Sequence, residues 1–340
     1  MKCARQKIVV GVVMAAVLAA GGCGRNQGES SQANNAVAYA KDLQSKVKLD
    51  ATMAHLQQLQ DIADANGGTR VVGSPGYDAS VEYVAKALRD NGFDVQTPEF
   101  TMGIFKADKA SLTVNGQPVE TRVIPYSVAS PAEGATGRFV VPTGDGHLGC
   151  AVSDYSGLDL KGAVVMLDRG DCRFAEKAKL ITERGGVALI LADNVDEPFD
   201  GTMRDDAKVP PIPVMYVSKA DGARLRSETG TATVITDARV EQVKTRNVIA
   251  ETKTGAKDNV VMVGAHLDSV KEGPGINDNG TGVATILETA LKMGPSPQVA
   301  NAVRFGFWGG EEEGLNGSND YVRSLDVERL KDIALYLNTT

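Results

Sequence analysis

Histidine is scarce in this sequence, which narrows where any imidazole chemistry can sit: among 340 residues there are three, His55, His147 and His266. Cysteine is nearly as rare, with four. Basic residues are not in excess either. The formal net charge is −7, and no stripe of Lys and Arg runs along the chain. A nucleic-acid surface needs such a stripe, so nucleic acid is excluded as a partner. After the N-terminal residues no segment is apolar enough to cross a bilayer, which takes about 20 consecutive apolar residues. What is present is length enough for two domains with cores of their own.

The first residues carry the marks of export. Lys2, Arg5 and Lys7 precede an apolar run at 8–20, the length of a signal-peptide core and too short for a membrane span. The run ends in LAAGGC, which resembles a bacterial lipobox with Cys23 as the lipidated residue. An ordinary cleaved signal with an incidental Cys is the alternative. The expectation is a lipoprotein signal peptide over 1–22, and an exported protein anchored by lipid to the outer side of the cell membrane. Cys3 leaves with the signal, so Cys150 and Cys172 remain. In an oxidising compartment they are expected to form a disulfide, the alternative being two free buried thiols.

Residues 25–35 (RNQGESSQANN) are polar and read as a flexible tether, within a tether and leading helix over 23–47. Asp50 is positioned to cap a helix whose apolar side is Met53, Leu56, Leu59 and Ile62. His55 lies on the flank of that side and reads as a packing residue. Ser74-Pro75 starts a second helix with Tyr77, Val81, Val84 and Leu88 as its stripe, stopped by Asn91-Gly92. Asn115-Gly116 predicts a hairpin turn. From 120 to 242 the texture changes to short β-type runs (RFVVP, GAVVMLD, VALILAD, IPVMYVS) with one helical insert, FAEKAKLITERGG. That segment reads as a mostly β domain inserted into a first domain formed by 48–119 and 243–340. His147 lies in the insert and reads as a surface-loop residue. Strands alternating with helices resume at NVIAET and VVMVGA, which implies an α/β fold: a three-layer αβα arrangement around a mainly parallel sheet.

The chemistry-bearing residues collect in this last part. His266 and Asp268 follow the run VVMVGA, Asp278 sits in the glycine-rich GPGINDNGTG, and Glu311 and Glu312 follow VRFGFWGG. In parallel sheets ligands gather beyond the carboxyl ends of the strands, so these side chains can converge although distant in sequence. Imidazole with carboxylates suits zinc. Of two adjacent glutamates, one can ligate while the other accepts a proton, and an Asp near a ligating His can orient the ring. Each piece is weak alone, since an HxD is a chance event and a Glu run, Glu313 included, is usually a solvated loop. The ordered set HLDS, GINDNG, WGGEEEGLNGS is far more specific.

With those motifs the chain resembles the M28 family of zinc aminopeptidases, in the subgroup carrying an inserted protease-associated (PA) domain and close to actinobacterial lipoprotein aminopeptidases. GTRVVGSPGYDASVEYVAKALRDNGFDVQTPEF, DRGDCRFAEKAKLITERGG, RNVIAETKTG, VGAHLDSVKEGPGINDNGTG and FWGGEEEGLNGS carry the likeness. The resemblance implies a zinc-exopeptidase fold and hydrolysis of N-terminal peptide bonds by two zinc ions with a bridging hydroxide. It implies that His266 binds one zinc, Asp278 bridges, Glu312 binds the other, Glu311 is the general base and Asp268 holds His266. Peptides with a free N-terminus are the implied substrates.

One departure bears on activity. In the family, the strand matching IALYLN runs into Phe-Asp-Met, whose Asp is a ligand, and a further His follows later. Here Thr339 and Thr340 occupy those positions. The expectation is that the C-terminal part of the sheet domain is missing and that the 340-residue chain is impaired. A non-catalytic surface lipoprotein that binds peptides or proteins through its PA-like domain is the alternative function. A one-zinc cyclising transferase on the same fold is disfavoured by the insert and by the GINDNG loop.

Overall fold

A computed structural model describes residues 27–196, 201–203 and 210–339. Cys23 and Thr340 lie outside the described residues. The chain divides into two compact units, one formed by 1–102 with 243–340 and the other by 103–242.

In the first unit five strands order as Asp94–Gln96, Val248–Glu251, Asn301–Trp308, Ala256–His266 and Ile333–Asn338. The last three are mutually parallel, and the first two add on antiparallel. Helix Thr281–Met293 supplies the crossover between Ala256–His266 and Asn301–Trp308, as a parallel pair requires. It packs with helices Leu49–Ala65 and Pro75–Asp90. Their facing residues Leu59, Tyr77, Val81, Val84, Leu88, Val283 and Leu287 are fully buried. On the other face Tyr321, from helix Asn316–Ser324, packs against Ile249, Met262 and Trp308. The two-residue period of a strand makes this sandwich possible. Phe305 stacks edge-on against Phe93, while Arg304 and Trp308 meet Tyr321. The Trp308 indole lies over Gly306, where an added Cβ would come within 2.4 Å of the ring. The three-layer α/β architecture is thus present in these residues.

The second unit is built on an eight-stranded sheet. Its central strands Ala135–Val140, Ala163–Asp168, Ala188–Ala192 and Val214–Val217 are parallel neighbours. Thr231–Thr236, Ala110–Val114 and Gln117–Val119 extend it antiparallel on one side. Val164 and Met166 enter one apolar cluster, Ala163, Val165 and Leu167 another, so both faces are covered. Cys150 and Cys172 are joined as a disulfide.

Three expectations need correction. The insert was expected to start at 120, but the second unit starts at Gly103. The Asn115-Gly116 hairpin forms, with Val114 opposite Gln117, yet its long arm pairs with Thr231–Thr236 and so belongs to the second unit. The stretch read as a flexible tether includes the start of a helix over Gln27–Lys46. Low apolar content argues for disorder only where nothing anchors the segment. Here Ala, Gln and Lys are good helix formers, and Leu43 is buried at 3 % exposure. Helix Leu49–Ala65 is entered from Lys48, leaving Asp50 inside the first turn rather than at the cap, where a carboxylate still complements the helix dipole. Ser74 does cap the next helix, accepting the Tyr77 N–H at 3.2 Å.

Candidate active site

The three parallel strands set the geometry. His266 is the last residue of Ala256–His266 and stands in register with Trp308, the last residue of the neighbouring strand. The chain beyond Trp308 turns through Gly309 and Gly310 and delivers Glu311 and Glu312 beside the imidazole. Donor atoms of His266, Glu311 and Glu312 all lie within 4.8 Å of one another. Asp278 comes from the turn Ile276–Gly280 that leads into helix Thr281–Met293, and its peptide bond to Asn279 is cis. Its carboxylate lies 3.0 Å from His266 Nε2, and a Glu311 carboxylate oxygen lies 3.8 Å from the same nitrogen. The ring is 3 % exposed, whereas the Asp278 side chain is 69 % exposed. One imidazole edge and several carboxylates therefore face an open side.

Asp268 is fully buried. His266 Nδ1 lies 3.1 Å from its backbone carbonyl and 3.7 Å from its carboxylate. The same carboxylate accepts the backbone N–H groups of Glu311 at 3.2 Å and Glu312 at 3.3 Å. It thus ties the end of one strand to the turn after the next, and the expected contact with the ring is only part of what it does.

Two positioning groups had no signal in the motifs. The side-chain oxygen of Asn247, a fully buried residue, accepts the Gly309 N–H at 3.0 Å, while its amide donates to the Gly317 carbonyl at 2.9 Å. That clamps both ends of the turn carrying the glutamates. Asn279 accepts the Gly282 N–H at 3.1 Å and donates to the Thr339 carbonyl at 2.5 Å. Thr339 in turn donates its N–H to Gly264 at 2.9 Å. Asn279 lies inside the GINDNG motif without its role being readable there, and nothing around Asn247 in RNVIAET marks it.

The electrostatics are those of an anionic cluster around one imidazole. Burial works against the His266 cation, yet the hydrogen bond and charge of Asp268, followed by Glu311 and Asp278, outweigh it and raise the ring to about 9. Burial, then the charges of Asp268, Asp278 and Glu311, push Glu312 up to about 7 against the pull of His266. Glu311 is raised by burial and then by Asp268 and Asp278, against the pull of His266. A carboxylate crowded until it holds its proton near neutrality, as Glu312 is, is suited to a cation.

A tetrahedral zinc holds its donors at about 2.0–2.2 Å, which places two donors about 3.3 Å apart. The 3.0 Å between His266 Nε2 and the Asp278 carboxylate lies close to that spacing, so the pair fits a shared zinc-sized ion. The other histidines are elsewhere in the chain. His55 joins Tyr83 at 2.5 Å and Glu288 at 3.4 Å among the helices. His147 lies in the second unit, 3.8 Å from Asp168.

Residues 247–339 match Peptidase family M28 and residues 135–225 match the PA domain. The M28 match lies in the first unit and the PA match in the second, so the chain carries a segment similar to peptidase family M28 and one similar to the PA domain. It is 56 % identical over 304 residues to the "Probable lipoprotein aminopeptidase LpqL" of Mycobacterium tuberculosis, an alignment covering 89 % of this chain and 61 % of that relative's length. Among solved structures it resembles an aminopeptidase from Aneurinibacillus sp. strain AM-1, with TM-score 0.75 and 29 % identity over 87 % of this chain and 71 % of that one. It also resembles BSAP, a zinc aminopeptidase from Bacillus subtilis, with TM-score 0.66 and 27 % identity over 86 % and 68 % of the two chains.

Proposed function

We propose that this protein is a metal-dependent aminopeptidase that removes N-terminal residues from peptides through a two-zinc site. The observation that carries the reading is the convergence of His266, Glu311 and Glu312 at the ends of two neighbouring parallel strands, with Asp278 beside them. His266 would hold one ion, Glu312 the other, and Asp278 would bridge. Zinc bound there supplies Lewis-acid polarisation of the scissile carbonyl and of the attacking water.

The remaining steps belong to side chains. Glu311 stands 3.8 Å from His266 Nε2 with its pKa raised by burial, which suits a group that takes a proton from water and returns it to the leaving amine. Asp268 holds the Glu311 and Glu312 backbone and keeps His266 oriented. Among the described residues each ion has one residue of its own besides Asp278, fewer than the three protein ligands usual for catalytic zinc. We therefore expect this chain to hold zinc weakly and to turn over slowly. Cys23 as a lipidated residue, and attachment to the outer face of the membrane, are part of the same proposal. No helix among the described residues is long and apolar enough to cross a membrane.

The test is chelator-sensitive hydrolysis of an aminoacyl anilide, with its N-acetylated form as control. Glu311→Gln should lower kcat by a factor on the order of 10²–10⁴, as loss of a general base does, while zinc uptake stays within a few-fold. Equal cleavage of the N-acetylated substrate, or turnover indifferent to Glu311→Gln, would remove the reading.

A further inference from the structure

The loop 267–275 separates the two residues that define the metal centre on one side, His266 and Asp278. Its span decides how far apart their donors stand. One side chain from a remote part of the sequence holds that loop. Arg70 lies ahead of helix Pro75–Asp90 and is fully buried. Its Nε donates to the Pro274 carbonyl at 2.9 Å, one terminal nitrogen to the Gly275 carbonyl at 2.9 Å, and the other to the Leu267 carbonyl. Its backbone joins the same loop. The Arg70 N–H donates to Ser269 Oγ at 2.9 Å, and the Ser269 N–H donates to the Arg70 carbonyl at 3.3 Å.

We propose that Arg70 is a positioning residue of the metal centre: its guanidinium fixes the span of loop 267–275 and thereby the separation of His266 and Asp278. The proposal rests on the reading of those two residues as metal ligands. Three donors pointing in three directions within one plane match three carbonyls at the two ends of the loop, Leu267 on one side and Pro274 with Gly275 on the other. Only a guanidinium has that fork; a lysine ammonium is a single point charge.

The arrangement also locks itself. Burying a cation is costly unless its donors are satisfied, and here the acceptors are the loop carbonyls, with the Asp268 charge close enough to favour the cation. Any drift of the loop would strip Arg70 of partners. Gly275 adds a steric stop. It adopts φ +60°, and a Cβ there would meet the Asp278 carbonyl oxygen at 2.6 Å and Ser269 Cβ at 2.6 Å, so this end of the loop has no slack.

The experiment measures zinc affinity by chelator competition, and the visible absorption of the Co(II)-loaded form, on the 340-residue chain. Wild type is compared with Arg70→Lys, Arg70→Met and Leu88→Ala. Removing a partner that orients metal ligands lowers metal affinity about 10–100-fold. Both Arg70 variants should show such a loss together with altered Co(II) bands. Leu88→Ala creates a cavity in helix Pro75–Asp90 and lowers thermal stability, but should leave affinity and spectrum unchanged. Arg70→Lys keeps the charge and the stem, so it decides the matter even if Arg70→Met fails to fold. Wild-type affinity and spectrum in Arg70→Lys would overturn the proposal, as would an equal loss of affinity in Leu88→Ala. If the wild-type chain itself takes up neither metal, the metal-site reading falls first and the proposal falls with it.

Discussion

Zinc uptake by the metal-free chain should release protons, and the number released should change with pH in two steps. The metal-free site keeps His266 cationic up to about 9 and Glu312 protonated up to about 7. A ligand must lose its proton before it can bind a metal. Both groups are raised above their ordinary values, so the proton is favoured and zinc has to displace it. Counted over the two ions together, both groups give up a proton below pH 7, and the log of the overall two-zinc binding constant should climb by about two per pH unit, roughly 100-fold. Between 7 and 9 only His266 still does so, and the slope should fall to about one, roughly tenfold per unit. Glu311, raised in the same direction, can only steepen the acid limb. The assay is chelator competition across pH, paired with calorimetry in buffers of different ionisation enthalpy to count the protons directly. A slope of one below pH 7 would mean that Glu312 is not a ligand. A flat profile would mean that zinc binds away from His266 altogether.

Two other perturbations are informative. Asp268→Asn removes a buried charge that holds two backbone N–H groups; zinc affinity should fall about 10–100-fold, and the alkaline step of the proton-release profile should move below pH 9 because the main group raising His266 is gone. Breaking the link between Cys150 and Cys172, which are 22 positions apart, by Cys150→Ala should cost about 3 kcal/mol in the chain-entropy account; denaturant unfolding would show it, and wild type with reductant should approach the variant.

The sequence made the strands and the site legible where period and motif were local. VVMVGA and VRFGFWGG could be read as strands because their apolar runs are short and bounded by glycine, and the side chains after them could then converge at one end of a parallel sheet; that the two strands are neighbours is seen only in the fold. Ser74-Pro75 and Asn115-Gly116 were readable for the same reason, since capping and turn chemistry act within a few residues. What stayed hidden was long-range. Nothing near Asp268 indicates that its carboxylate receives the N–H groups of Glu311 and Glu312. Nothing near Arg70 points to carbonyls around 270. The hairpin at 110–119 was assigned to the wrong unit because its partner strand, Thr231–Thr236, lies more than a hundred residues away. Polar composition misled at 27–35, which belongs to helix Gln27–Lys46, where helix propensity and one buried leucine decide the outcome.

The nesting of one unit inside another has a consequence for how the molecule comes into being. Helices Leu49–Ala65 and Pro75–Asp90 are synthesised early, but four of the five strands of their sheet begin only after Gln242. Until then most of the sheet they rest on is absent. The unit 103–242 is continuous in sequence and needs no residue outside itself for its sheet, so it can mature on the ribosome first. Once formed, it brings its two ends together, because Gly103 already packs against Val240 in the paired strands Glu99–Lys106 and Arg239–Arg246. Closing a flexible loop of that length would otherwise cost about 4 kcal/mol in chain entropy. A second unit folded first would thus hold the two parts of the first close together while the remaining strands are made.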